Sequence, residues 1–239
     1  MGQGAHTAKP IGLIVPPTKA EIPPDATRMY PHAAFIADGL GLGRMAPDAF
    51  AAAITRVGDC AARLAGRGAC AVFLFGTSLS FFRGPGGEAD IVTAIAQASG
   101  LPSQTLAGAL CDSLMRLRVR RFAAVTAYTP EVDALFRAYF EAADFEIPAL
   151  RGMDISALDD VERVGDAAIS ALAEQAMGEA EGIDALVISC AGLRTADIAP
   201  ALERRFGVPV LSSAMVAAHA AVSLAGGDAT AAGLGRAYA

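Results

Sequence analysis

The sequence predicts a parallel α/β fold arranged as two similar lobes, and three observations lead there. Short, continuously apolar runs alternate with longer amphipathic ones. Two of the apolar runs end in small polar corners, "FGTS" at Phe75–Ser78 and "SCAG" at Ser189–Gly192. The spacing is also doubled: runs begin near Ile11 and near Cys70, about 60 residues on, and again near Arg121 and near Asp184, about 60 on. Alternating strand and helix patterns build a parallel sheet with helices on its faces. Strands covered on both faces read as unbroken apolar runs rather than alternating ones.

In chain order, "IGLIV" (Ile11–Val15) is the first buried strand, and it runs into "IVPP", which ends in Pro16 and Pro17. A helix is expected over Ala46–Gly66, then a strand at "CAVFLF" (Cys70–Phe75). Helices over Ala89–Ser99 and Thr105–Leu117 follow, with a possible sixth strand starting in "LPSQTL" between them. The second half repeats the plan: strand Arg121–Ala127, helices Glu131–Ala143 and Val164–Gly178, strand Asp184–Ser189, helix Asp197–Phe206, strand Val208–Ser213 and helix Ala214–Ala225. Gly100, Gly182 and Gly207 each follow a helix and precede a strand, where a left-handed cap is wanted. "GLGLG" (Gly39–Gly43) and "GPGGE" (Gly84–Glu88) match neither a dinucleotide fingerprint nor a phosphate loop and read as turns.

The chain of 239 residues is long enough to bury a core, and 54% of it is apolar, with a mean hydropathy of +0.42. No run of about 18 apolar residues suggests a membrane span. "MGQGAHTAKP" does not resemble a secretory signal, so the cytoplasm is the expected compartment. The net charge of −6, with Lys and Arg dispersed, argues against nucleic-acid and anionic-membrane partners. Four cysteines without a C-x-x-C pair are expected as free thiols. His6, His32 and His219 are far apart in sequence and offer no metal-ligand spacing.

In open parallel sheets, ligands bind beyond the carboxyl ends of the strands, so two facing lobes would bring the two corners to one cleft. Cys190 ends an apolar strand before Ala191-Gly192. It reads either as an acid, base or nucleophile or as a small buried hydrophobe. Thr77 and Ser78 follow Gly76 and read either as an anion cradle or as an ordinary helix cap. Tyr128 in "AVTAYTPEV" is either a phenol donor to the same anion or a half-buried core residue. Cys60, Cys70 and Cys111 read as packing residues, and Arg83 as a solvated surface charge.

"IGLIVPP", "FIADGLGLG", "GTSLSFFRG", "VTAYTPEV", "SCAGL" and "ERRFGVPVLSS" together resemble the bacterial arylmalonate decarboxylase family of the aspartate/glutamate racemase superfamily, in order and over nearly the whole chain. That resemblance implies two flavodoxin-like lobes with parallel sheets, related by a pseudo-twofold axis, with the active site in the cleft between them. It suggests a first lobe of residues 1–117 plus 217–239 and a second of 118–216. Racemases of the superfamily carry one cysteine per lobe; here Cys190 has Gly76 as its counterpart, which is the decarboxylase pattern. The implied chemistry is cofactor-free and metal-free loss of CO2 from a small-molecule dicarboxylate, by a monomeric enzyme. Thr77, Ser78 and Tyr128, with backbone amides near Ser78, Ala191 and Gly192, would hold one carboxylate. Pro16, Leu42, Met45, Leu158 and Val161 would wall the other, and an aryl group would lie near Pro17 and Gly76. Cys190 would protonate the resulting enediolate. Two departures from the family pattern are Ala191, where a glycine is usual, and Phe50, where a tyrosine is usual near the cleft mouth. A racemase or isomerase, or a dicarboxylate sensor without turnover, are the competing expectations.

Overall fold

The computed structural model describes residues 9–239, so His6 and the first eight residues lie outside it. Among the described residues, eight strands run in chain order: β1 (Ile11–Val15), β2 (Phe35–Gly39), β3 (Ala71–Leu74), β4 (Ser103–Thr105), β5 (Arg121–Thr126), β6 (Glu146–Gly152), β7 (Ala185–Ser189) and β8 (Val210–Ser212). Eleven α-helices accompany them: α1 (Pro24–Met29), α2 (Pro47–Ile54), α3 (Val57–Gly66), α4 (Thr77–Phe81), α5 (Gly84–Ser99), α6 (Leu106–Arg116), α7 (Pro130–Glu141), α8 (Leu158–Val161), α9 (Asp166–Gly178), α10 (Ala199–Phe206) and α11 (Ser213–Leu224). None of the described helices is long and apolar enough to cross a membrane.

The strands form two four-stranded sheets, ordered β2-β1-β3-β4 and β6-β5-β7-β8. Every pairing in them is parallel, and the second order repeats the first. The expected doubled α/β plan is therefore what the chain builds. β1, β3, β5 and β7 are the inner strands, and all but the first residue of β5 are buried. Their Val, Ile, Leu, Phe and Ala runs suit strands covered on both faces.

The sequence reading missed β2 and β6, and both are edge strands. β2 (FIADG) has only its central residue buried. β6 (EIPALRG) carries Pro148, a residue that a sheet tolerates at an edge, where a missing N–H breaks no ladder bond. Half-exposed strands containing Asp or Pro lack the unbroken apolar signal that identified the inner four. The expected helix over Ala46–Gly66 is two helices. The chain turns at Thr55-Arg56, and the Arg56 guanidinium donates from Nε to the Leu40 carbonyl at 2.9 Å. "GPGGE" is the first turn of α5 rather than a turn between elements, with Pro85 at a tolerated first-turn position. Gly39 closes β2, and the rest of "GLGLG" runs on as a strip against the first strand's end: Leu40 N donates to Val15 O and Leu42 N to Pro16 O. Gly100 and Gly207 are left-handed helix caps as expected, while Gly182, also left-handed, lies in the loop beyond α9.

The strand register aligns Val15 with Gly39, Leu74 with Thr105, Thr126 with Ser189, and Ile188 with Ser212. Pro16, Gly76, Tyr128 and Cys190 all fall one or two residues beyond these ends. Phe81 of α4 links the halves: its ring lies 5.7 Å from Tyr128 and 5.6 Å from Phe136, edge to face in both cases. Each such pair contributes on the order of 0.5–1.5 kcal/mol beyond area burial.

Candidate active site

At the end of β3, Gly76 is the N-cap of α4, and Thr77 and Ser78 are its first two residues. Neither hydroxyl caps the helix, so the plain N-cap reading does not describe this corner. Both residues are buried. The fastening falls to Ser80, whose Oγ donates to Gly76 O at 2.7 Å. Thr77 Oγ1 is enclosed and has no hydrogen-bond partner, alone among the buried side-chain nitrogen and oxygen atoms of the described residues. A buried hydroxyl left unpaired costs about 1–3 kcal/mol, so the Thr77 hydroxyl carries hydrogen-bonding capacity that the surrounding side chains leave unused. A Cβ on Gly76 would come within 3.1 Å of Leu79 Cδ1 and 3.2 Å of Pro16 Cγ, so the corner is tight against the first strand's proline.

Tyr128 follows β5 and is almost wholly buried. Its backbone N–H donates to Thr126 Oγ1 at 3.2 Å, and Thr126 Oγ1 donates to Asp133 Oδ1 at 2.6 Å. Its phenol pairs with Ser189 Oγ at 3.1 Å. Burial drives the phenol's pKa well above its ordinary value, and nearby Cys190 pushes the same way. The Ser189 and Thr77 hydroxyls oppose this, which puts Thr77 near the phenol although outside hydrogen-bond geometry. Tyr128 is thus a neutral phenol bonded to Ser189 at the second corner and lying near Thr77 of the first.

Cys190 follows β7 with φ 137°, a region that side-chain-bearing residues rarely occupy. Such a backbone costs on the order of 1–3 kcal/mol and persists only where its surroundings hold it. Its N–H points to Ser213 Oγ at 3.4 Å. Cys190 keeps some solvent contact, but the dense protein around its sulfur raises the thiol pKa to about 11, while the Gly192 and Leu193 amides pull it back. A cysteine in this setting rests as a neutral thiol at physiological pH. Ala191 is half-buried and Gly192 exposed. A Cβ on Gly192 would meet Val161 Cγ1 at 3.0 Å, so Val161 of α8 packs on this loop.

The apolar residues expected as a wall come from both halves, and backbone bonds stitch their loops together. Leu42 is tied to Pro16, Met45 N donates to Ser156 O at 2.7 Å, and Leu158 N donates to Gly43 O at 3.3 Å. Arg44 and Ala157 form an antiparallel bridge between these bonds. Leu42, Met45 and Val161 are buried, while Leu158, Pro16 and Pro17 are partly covered. Phe50 is fully buried against Phe82, at 5.7 Å between ring centres, and not at a mouth.

Sequence reasoning missed Ser189, which reads only as the end of a strand. The one available signal is its place beside Cys190, opposite Thr126 in the register. Of the other cysteines, Cys60 and Cys111 are buried and Cys70 sits at the far end of β3; all four are free thiols. Among the described residues, no three His, Cys, Asp or Glu side chains converge as metal ligands.

Comparison with known proteins gives this geometry a context. The family model for arylmalonate decarboxylase matches residues 11–238. Arylmalonate decarboxylase of Bordetella bronchiseptica is 41% identical over 221 residues, covering 92% of each chain. Maleate isomerase of Nocardia farcinica is 30% identical over 223 residues, 87% of each. The crystal structure of an arylmalonate decarboxylase variant with one Gly-to-Cys and one Cys-to-Ser change, in a liganded form, superimposes with a TM-score of 0.94 at 40% identity, covering 96% of this chain and 98% of that one. The chain belongs to the arylmalonate decarboxylase family.

Proposed function

We propose that this carboxy-lyase family member releases CO2 from α-aryl-α-alkyl malonates and protonates the product on one face through Cys190. The observation that carries the reading is the unpaired, enclosed Thr77 hydroxyl beside the Tyr128 phenol. These two groups, with Ser78 and the amides near Ser78, Ala191 and Gly192, suit a carboxylate whose charge grows during reaction. The second carboxylate would face Pro16, Leu42, Met45, Leu158 and Val161, where charge is poorly solvated. Breaking its C–C bond removes that charge as CO2. The electron pair enters the remaining carboxylate as a planar enediolate. The Cys190 S–H then gives its proton to the carbon, and solvent restores the thiol, so each turnover consumes one proton. The aryl group would lie near Pro17 and the Gly76 backbone. No step calls for a metal or cofactor. We propose that the enzyme works as a monomer.

Gly76 disfavours a racemase or isomerase reading, which needs a second acid or base at the first corner. Cys70 is six residues back along the strand, about 20 Å at 3.3 Å per residue. We also assign residues 1–117 with 217–239 to one lobe and 118–216 to the other. The strand ranges of the two sheets support that division, which passes through α11, a helix that packs on α1 and α6 of the first lobe and on β7 and β8 of the second.

The test is incubation with α-methyl-α-phenylmalonate in the presence of a chelator, following proton uptake and resolving the product by chiral chromatography. One enantiomer of 2-phenylpropionate is expected, and Cys190→Ala should lower the rate by about 10²–10⁴ while remaining folded. Full activity in Cys190→Ala would overturn the assignment of the proton donor. Intact malonate bound without turnover would favour the sensor reading.

A further inference from the structure

The strained backbone at Cys190 needs something to hold it, and one holder comes from the other end of the chain. Asp25 lies in the first turn of α1, between β1 and β2, and is buried. Its carboxylate is spent on the loop that leaves Cys190. Oδ2 accepts from Thr195 N at 2.9 Å, from Thr195 Oγ1 at 3.0 Å and from Ala196 N at 3.2 Å. The residues are 170 apart in sequence. Thr195 Oγ1 also bonds Ser212 Oγ at the end of β8. The next residue, Ser213, faces the Cys190 N–H. Residues 190–196 are therefore pinned at one end by Ser213 and at the other by Asp25 and Ser212. Between the pins, Leu193 N closes a tight turn onto Cys190 O at 3.1 Å. Arg28, one turn along α1, pairs with Asp197 just beyond the loop, in an exposed contact that salt would screen.

We propose that Asp25 is a positioning residue for the reaction, holding the Cys190–Ala196 loop so that the thiol reaches one face of the intermediate. This rests on the reading of Cys190 as proton donor. A carboxylate is well suited to the task, because charge-assisted hydrogen bonds to two adjacent amides and a hydroxyl are stronger than neutral ones. In Asp25→Asn the amide oxygen can take the place of Oδ2, but a neutral oxygen accepts the three bonds more weakly than a carboxylate does. With the far pin released, the loop is free to relax the unfavourable backbone at Cys190, and the sulfur moves with it. Bond-making geometry is sensitive at the 1 Å scale, so loss of positioning shows in rate and stereochemistry more than in substrate affinity.

The experiment compares Asp25→Asn, Asp25→Ala, Thr195→Val and Thr195→Ser in the full-length enzyme. It measures kcat, KM, product enantiomeric ratio, Tm, and the alkylation rate of Cys190 by iodoacetamide read peptide by peptide. A loss in kcat of about 10–100-fold is expected for Asp25→Asn, with KM changed less than about threefold, an eroded enantiomeric ratio and faster Cys190 alkylation. Thr195→Ser, which keeps the hydroxyl, should lose less than Thr195→Val. Asp25→Asn and Thr195→Val proteins that are folded and match the wild type in kcat, enantiomeric ratio and alkylation would overturn the proposal. So would a fall in Tm without change in those three. Should Asp25→Ala not fold, Asp25→Asn and the Thr195 pair decide. Cys190→Ala run alongside separates the two ideas: if it keeps activity, the proton-donor reading fails, and alkylation in the Asp25 variants still reports on the clamp.

Discussion

The two corners occupy equivalent places in equivalent sheets, and they are built differently. After β3 the chain passes an extended glycine, φ −145° at Gly76, and enters a helix at once, offering two hydroxyls from a regular backbone. After β7 it passes a cysteine with φ 137° and stays irregular until α10 begins at Ala199. The first corner is relaxed and carries an unsatisfied hydroxyl; the second is strained and carries a thiol. Both store unfavourable free energy, in a polar group without a partner and in a backbone out of its preferred region. The comparison teaches that one topology can present an unpaired hydroxyl at one corner and a thiol at the other by changing only the few residues after the strand.

Exchanging the thiol between corners breaks the comparison most directly. In Gly76→Cys/Cys190→Ser the donor would approach the carbon from the opposite side, so chiral chromatography should find the mirror-image product. The rate should fall by about 10²–10⁴, because the new cysteine lacks the second corner's setting. Its Cβ also crowds Leu79 and Pro16. Retention of the original enantiomer would show that the corners do not face opposite sides.

A middle-sized effect is expected for Thr77→Val, which removes the unpaired hydroxyl while keeping the shape. Thermal or urea unfolding should show a gain of about 1 kcal/mol, since a buried unsatisfied group is gone. Steady-state kinetics should show kcat reduced by about 10²–10³, the usual cost of one oxyanion donor. Equal loss of stability and activity would place the hydroxyl in the packing instead.

Much of this architecture was legible in the sequence, and the limits were physical. The inner strands announced themselves because burial on both faces demands unbroken apolar runs. β2 and β6 did not, because an edge strand tolerates Asp38 and Pro148. Gly76, Thr77, Ser78, Tyr128 and Cys190 stood out as polar or small residues where apolar runs stop. Ser189 was passed over because it closes such a run as the strand's last residue, and its bond is to Tyr128, which follows a neighbouring strand. Asp25 could not be read at all: a single acid in a proline-rich stretch says nothing of a loop 170 residues away. The wall residues came from family likeness, since no periodicity marks two loops that meet only in space.

The smallest effect near neutrality is a pH dependence that sharpens the contrast. A proton donor must carry its proton, and burial raises the Cys190 pKa from 9.0 to about 11. Activity should therefore be flat across pH 9, where an ordinary thiol ionises, and fall only as pH rises through about 11. A rate profile read together with ultraviolet thiolate absorbance checks this; a decline centred at 9 or below would mean the sulfur is not held as described.

The stitched loops at Leu42–Met45 and Ser156–Leu158 have a consequence for selectivity. Two halves that moved apart as a clamshell would have to break Met45–Ser156, Leu158–Gly43 and the Arg44–Ala157 bridge together. The spacing of the two corners is accordingly fixed by the backbone itself. A substrate held in so rigid a frame would be selected by fit and not by closure around it.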